Sequence, residues 1–184
     1  RQTSEVGIIA MAMTILIVCG EFDLSVGAIY AVVGIITGLL FQNFGVNLFL
    51  SAAVAMGLAL FLGYLNGLLI TKTGMHSFIG TLATMMVFRG IAMVSTGGRP
   101  VSSLPKMPFF TIFGEGMILD IIPVPILWLL AMCVFLFFIL HKTSFGVKVF
   151  ATGDNREAAE LAGIDTITIK RTCFMLTAFS AGIV

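Results

Sequence analysis

The sequence predicts an all-α polytopic membrane protein: a bundle of about six transmembrane helices carrying one short cytoplasmic helix on a polar loop. Three observations carry that expectation. The 184 residues are 59% hydrophobic and only 10% charged, with a mean hydropathy of +1.11, whereas a soluble domain is about 25% charged. Apolar runs near bilayer length recur along the chain, broken by short polar links. One polar island, His141 to Arg171, interrupts them and holds Lys142, Lys148, Arg156, Lys170 and Arg171. The formal net charge of +1 gives no basic field for nucleic acid.

Residues 6–20 form the first apolar run. Its fifteen residues rise about 22 Å as a helix, short of a hydrocarbon core of about 30 Å. It stops at Gly20-Glu21-Phe22-Asp23, and a second run covers 24–40. Two acids and a glycine make a poor helix interior in lipid, so two spans are expected rather than one broken helix. Asp23 or Ser25 suits the N-cap of the second span. Two readings of the turn stay open: a polar break beside a translocation path, or a capped hairpin with two solvated acids.

An uncharged link, Gln42 to Asn47, leads to a full span over 48–70. Gly63-Tyr-Leu-Asn-Gly67 and Gly34-Ile-Ile-Thr-Gly38 put glycines four apart and predict helix-packing faces. Lys72-Thr-Gly-Met-His76 is a tight connection to a span over 78–95 with Arg89 inside it. Arg89 either pairs with Asp23 or snorkels toward headgroups, the second being favoured. Gly97 to Gly116, with Pro105 and Pro108, reads as a loop. Asp120, Pro123 and Pro125 then open a span to Leu140, where proline near a helix start is tolerated.

Within the island, Asp154-Asn155-Arg156-Glu157 reads as a capping box with Asp154 as N-cap. A two-turn helix over 155–162 follows, and Gly163 stops it. Asp165 or Thr166 caps the last helix. Ala158, Ala159, Leu161 and Ala162 offer a small apolar surface, while Arg156, Glu157 and Glu160 stay wet. Two turns are unstable alone, so a docking partner is the natural support. The basic excess places the island in the cytoplasm. Counting back puts 96–116 outside, Lys72 inside, 41–47 outside and the Glu21–Ser25 turn inside. The missing initial Met and the apolar end at Val184 predict an internal fragment, a single transmembrane domain over 1–184 with a cytoplasmic loop over 141–171.

Chemistry is sparse. The sequence lacks a phosphate loop, paired His or Cys at metal spacing, and a nucleophile with its base, so no catalytic residue, metal or cofactor is expected. His76 and His141 fall at expected membrane boundaries, and Cys19, Cys133 and Cys173 read as small buried residues.

Three motifs resemble the permease subunits of ATP-binding-cassette sugar importers, the ribose-permease-like family. Glu21-Phe-Asp-Leu-Ser-Val-Gly27 is similar to that family's Gly-Ile-Asp-Leu-Ser-Val-Gly turn, with Glu21-Phe22 in place of Gly-Ile. Ser77-Phe-Ile-Gly-Thr-Leu82 with Phe88-Arg-Gly90 is similar to a second segment. Thr143-Ser-Phe-Gly146, Ala151-Thr-Gly-Asp-Asn155, Ala158-Ala159 and Ala162-Gly-Ile164 resemble its cytoplasmic loop. The likeness covers nearly the whole chain.

The resemblance implies a multi-pass protein of the cytoplasmic (inner) membrane that is not itself an enzyme. It would pass a pentose- or hexose-like monosaccharide, driven by ATP hydrolysis in a separate subunit. The implied partners are cytoplasmic ATPase subunits, an extracytoplasmic sugar-binding protein, a second permease copy (homodimer or pseudo-dimer) and membrane lipid. Gly153, Asp154, Asn155, Glu157, Ala158, Ala159, Ala162 and Gly163 would couple to the ATPase. Asp23, Ser25, Asn66, Ser77, Thr81 and Thr84 are the pathway candidates, being polar side chains in or beside the spans. The alternative is a secondary transporter or channel for a small polar solute, which would need no docking face.

Overall fold

A computed structural model describes residues 2–99, 114, 116–118 and 122–184. The chain is a multi-pass helical membrane protein. Its helices are α1 (Gln2–Val18), α2 (Val26–Phe44), α3 (Leu48–Thr73), α4 (Ser77–Thr96), α5 (Val124–Lys142), α6 (Ser144–Asp154), α7 (Arg156–Leu161) and α8 (Thr166–Ile183). Helices α2, α3, α4 and α5 are each long and apolar enough to cross a membrane; α1 is apolar but only 17 residues long. Strands β1 (Met117–Ile118) and β2 (Ile122–Pro123) pair antiparallel, with Met117 opposite Pro123, and lead into α5. Pro105, Lys106, Pro108 and Asp120 lie outside the described residues.

Among the described residues two clusters make the core, and α3 and α8 belong to both. Ile8, Ile15 and Leu16 of α1 meet Met132 and Leu136 of α5, Ile70 of α3, and Cys173 and Phe174 of α8. Ile29 and Val32 of α2 meet Ala55 and Ala59 of α3, Phe88 of α4, and Ala178 and Ala181 of α8. The α3–α8 seam depends on missing side chains. A Cβ on Gly63 would lie 2.7 Å from the Phe174 carbonyl oxygen, and one on Gly67 would lie 2.8 Å from the Arg171 Cα. The Gly63-Gly67 packing face is therefore real, because only hydrogen lets the backbones approach this closely. Gly34 does not behave the same way: it is exposed, with open space where its Cβ would be.

The expected break after the first run is present, and α1 and α2 are separate helices. Three polar links gather at one end of the bundle. Gly20 and Glu21 of the α1–α2 turn, Gly74 to Ser77 of the α3–α4 connection, and Arg156 and Lys170 flank one half-open cavity of about 210 Å³. This shared end is what counting spans requires, since two helices intervene between successive links. Gly74 closes α3 at φ +67° while its N–H bonds the Ile70 carbonyl, a left-handed cap that lets α4 restart within three residues.

Candidate functional site: a buried turn and a capped corner

The α1–α2 turn is held by side chains far away in sequence. Ser77 Oγ accepts from the Phe22 N–H at 3.1 Å, and Thr81 Oγ1 accepts from the Leu24 N–H at 3.0 Å. Thr81 Oγ1 also donates to the Ser77 carbonyl at 2.7 Å. Asp23 folds back so that its Oδ1 accepts from the Ser25 N–H at 2.7 Å. Asn66 Nδ2, from α3, donates to Asp23 Oδ2 at 3.2 Å and to Ser25 Oγ at 2.7 Å. Asp23, Ser25, Asn66 and Thr81 are all 0% exposed.

Five of the six pathway candidates, Asp23, Ser25, Asn66, Ser77 and Thr81, therefore sit in one hydrogen-bonded cluster that staples the turn to α3 and α4. The sixth, Thr84, lies one turn along α4, where its hydroxyl donates to the Thr81 carbonyl at 3.2 Å. Among the described residues, Asn66 Oδ1 is buried without a hydrogen-bond partner, the kind of acceptor that a small polar guest satisfies.

The solvated-hairpin reading is overturned. Asp23 is fully buried, and the Glu21 side chain, 9% exposed, is ion-paired with Lys170 of α8. An isolated charge would be too costly at such depth, so each finds a partner. Ser25 occupies the N-cap position of α2 without a side-chain cap bond, so the Asp23 carboxylate ties the turn rather than capping by the usual geometry. Arg89 does not pair with Asp23, whose partners are Ser25 and Asn66; Arg89 is exposed on α4.

The polar island folds into a corner of two helices, one more than its sequence suggested. Thr143 caps α6, its Oγ1 accepting from the Gly146 N–H. Gly146 is packed against the end of α5, where a Cβ would stand 1.8 Å from the Leu140 carbonyl oxygen. Asp154 is the last residue of α6 and not the cap of α7. That cap is Asn155, whose Oδ1 accepts from the Ala158 N–H at 3.0 Å. The extended backbone of Asn155, at φ −149°, places its side chain over the first turn. Gly163, at φ +83°, ends the helix, and Asp165 caps α8 through the Thr168 N–H, as expected.

Of the coupling candidates, Gly153, Asp154, Asn155, Glu157, Ala158, Ala162 and Gly163 are exposed. Ala159 faces inward at 4% exposure, so it anchors α7 and cannot be gripped directly. The outward apolar residue is Leu161, 91% exposed. The sequence places Leu161 in the small apolar surface of this helix without counting it among the coupling residues. Arg156 Nε donates to Glu160 Oε1 at 2.8 Å, and the Thr166 hydroxyl donates to the same oxygen at 2.6 Å. The Thr166 hydroxyl and then Arg156 hold the Glu160 carboxyl below its ordinary range. Thr168 does the same for Asp165.

His76 stands at the start of α4, and His141 near the end of α5, stacked on Phe137 at 4.5 Å. Cys19 and Cys173 are buried and Cys133 is half-buried, all as free thiols.

Residues 1–184 match the family model described as branched-chain amino acid transport system / permease component. The chain is 40% identical over 177 residues to the ribose import permease protein of Bacillus subtilis, covering 96% of this chain and 54% of that protein. It is 34% identical over 184 residues to the xylose/arabinose import permease protein of Sulfolobus acidocaldarius, covering 97% and 50%. It is 33% identical over 183 residues to the L-arabinose transport system permease protein of Escherichia coli, covering 96% and 53%. The chain thus spans about half the length of the curated relatives it matches. No solved structure matches it. With the match running the whole length of the chain, and with spans, turn and capped corner in the order described, the chain belongs to the family of transport-system permease components.

Proposed function

We propose that the chain is part of the membrane permease subunit of an ATP-binding-cassette importer that moves a pentose- or hexose-like monosaccharide across the cytoplasmic membrane. ATP hydrolysis takes place in separate cytoplasmic subunits. The observation that carries the reading is the α6–α7 corner: a six-residue helix, capped at both ends, presenting Leu161 outward from the end of the bundle. A secondary transporter or channel has no use for such a corner, and the relatives' names favour an importer over either. Sugar rather than amino acid follows from relatives named for ribose, xylose and arabinose import. The family description raises a branched-chain amino acid as the competing cargo.

In this reading the exposed coupling residues and Leu161 contact the ATPase, with Ala159 supporting them from beneath. The polar cluster around Asp23, Ser25, Asn66, Ser77, Thr81 and Thr84 forms the wall past which a polyol moves once the turn and α4 part. Hydroxyl groups of a neutral sugar can replace the hydrogen bonds that the turn gives up, Asn66 Oδ1 being the first acceptor to offer. A second permease copy completes the pathway, and an extracytoplasmic binding protein delivers the sugar.

The test uses the full-length permease in proteoliposomes with its ATPase and binding protein. ATP-driven uptake of labelled ribose, xylose, arabinose and leucine is compared. Leu161→Arg should abolish ATPase recruitment and uptake together. Normal recruitment and uptake by that variant would remove the docking assignment, and uptake of leucine alone would remove the sugar.

A further inference from the structure

The α1–α2 turn touches both the docking corner and the polar cluster. On one side it meets the docking corner by direct backbone contact. A Cβ on Gly153, at the end of α6, would lie 1.7 Å from the Val18 carbonyl oxygen, and one on Gly20 would lie 3.9 Å from the Gly153 Cα. No compressible side chain separates these segments, so displacement of α6 passes to residues 18–20 without slack. A second link runs through α8. Glu160 of α7 accepts from Thr166, at the start of α8, and Lys170, one turn further, pairs with Glu21. The other side of the turn holds the hydrogen bonds from Phe22 to Ser77, from Leu24 to Thr81, and from Asn66 to Asp23.

A direct route from α7 to α4 is interrupted. The cavity of about 210 Å³ opens between Arg156 and the α3–α4 connection at Gly74, Met75 and His76. A push on the docking helix therefore reaches α4 by way of the turn, or more indirectly through α8 and the close-packed α3–α8 seam.

We infer that residues 19–25 are the transmission element of this permease, with Glu21 and Lys170 as positioning residues that lock the docking corner to the Asp23–Asn66–Thr81 cluster. The inference rests on the permease reading above. When the corner is displaced, the Glu21–Lys170 pair obliges the turn to follow, and the Ser77 and Thr81 bonds either carry α4 along or break. A network with two such arrangements, biased from one end, is what coupling between distant sites requires. The two links differ in kind. The Gly153 contact transmits compression, whereas the ion pair also transmits tension, so a complete cycle needs both.

The experiment uses the full-length permease assembled with its ATPase and binding protein in proteoliposomes. Glu21→Gln, Lys170→Gln and the exchange Glu21→Lys with Lys170→Glu are compared with the parent chain. Three readouts are taken: ATPase co-purification, basal ATP hydrolysis, and stimulation of hydrolysis by sugar-loaded binding protein. Each single variant should keep co-purification and basal hydrolysis, and lose stimulation and uptake by about tenfold, the size of an ordinary coupling free energy. The exchange should recover most of the lost stimulation. A merely structural pair would lower assembly and stimulation in parallel, and that outcome overturns the assignment. So does full stimulation in Glu21→Gln. Should the single variants fail to assemble, the exchange decides: an assembled but uncoupled exchange variant refutes the pair, and a coupled one supports it. Failure of the parent itself to recruit an ATPase would instead refute the permease reading, and the transmission role with it.

Discussion

The α1–α2 turn and the α6–α8 corner look alike in sequence. Each is a short polar stretch between apolar helices, with acids, a glycine and a cap-forming residue. In the fold they are opposites. The partners of the turn lie 43, 55, 57 and 149 residues away. The ties of the corner lie three to six residues away. One has its acids drawn into the bundle; the other keeps them in water. A polar stretch is buried when distant elements supply its partners, and stays at the surface when it satisfies itself. The turn is thus suited to sense helix positions, and the corner to keep its shape while something presses on it.

The sharpest way to break the contrast is to strip the turn of its central acceptor. Asp23→Ala leaves the Ser25 N–H buried without a partner, at about 1–3 kcal/mol, and takes from the Asn66 amide one of its two acceptors. A large fall in thermal stability of the purified permease in detergent should follow, with Asn66→Ala adding little on top because the two share one interaction. Gly63→Val tests the frame behind the turn. The added carbons meet the Phe174 carbonyl and Ala178, so α3 and α8 must separate at a cost of about 1–3 kcal/mol. Gly34→Val, the same change on an open glycine, should leave the melting temperature nearly unaltered.

The corner should respond more weakly. Asn155→Ala removes one exposed cap, worth about 1 kcal/mol. It should loosen the α7 amides in hydrogen exchange without lowering global stability by more than that. The smallest effect expected is that of pH on the corner. Glu160 and Asp165 are held below their ordinary range in the fold. Their contribution is complete above the unfolded carboxylate pKa of about 4 and fades as pH falls through the lower folded values. Exchange at the start of α7 and α8 should accelerate below about pH 4, and Thr166→Val should flatten that response at Glu160.

What the sequence discloses follows the same division. Gly163 as a stop, Asp165 as a cap, the separation of α1 from α2 and the Gly63-Gly67 face all depend on neighbours within one or two turns, and each is present. The sequence reads the capping box one residue early because Asp154 and Asn155 are both good caps. Only the continuation of α6 through Asp154 assigns the role to Asn155. Helix α6 itself carried a signal, Thr143 as cap with Gly146, Val149 and Thr152 buried every three residues, but its lysine and glycines obscured it. The partners of Asp23 were not legible at all. Which residue of α3 or α4 reaches the turn is set by how those helices pack, and a single sequence does not encode that locally. Burial of Ala159 on the face away from Leu161 has the same origin, because the inward face of a two-turn helix is defined by what lies beneath it.

The three thiols give the chain a built-in reporter. Cys19 follows α1 and Cys173 lies on α8; both are sealed at 0% exposure, while Cys133, midway along α5, is half-buried. Cys133 faces the apolar side of a membrane-crossing helix, away from the water in which a thiolate forms, so a maleimide applied to the resting protein should mark none of the three. Any gap that opens between α1 and α8 during turnover would unmask Cys19 and Cys173. Labelling stoichiometry then becomes a clock for the motion, read from the same molecule that performs it.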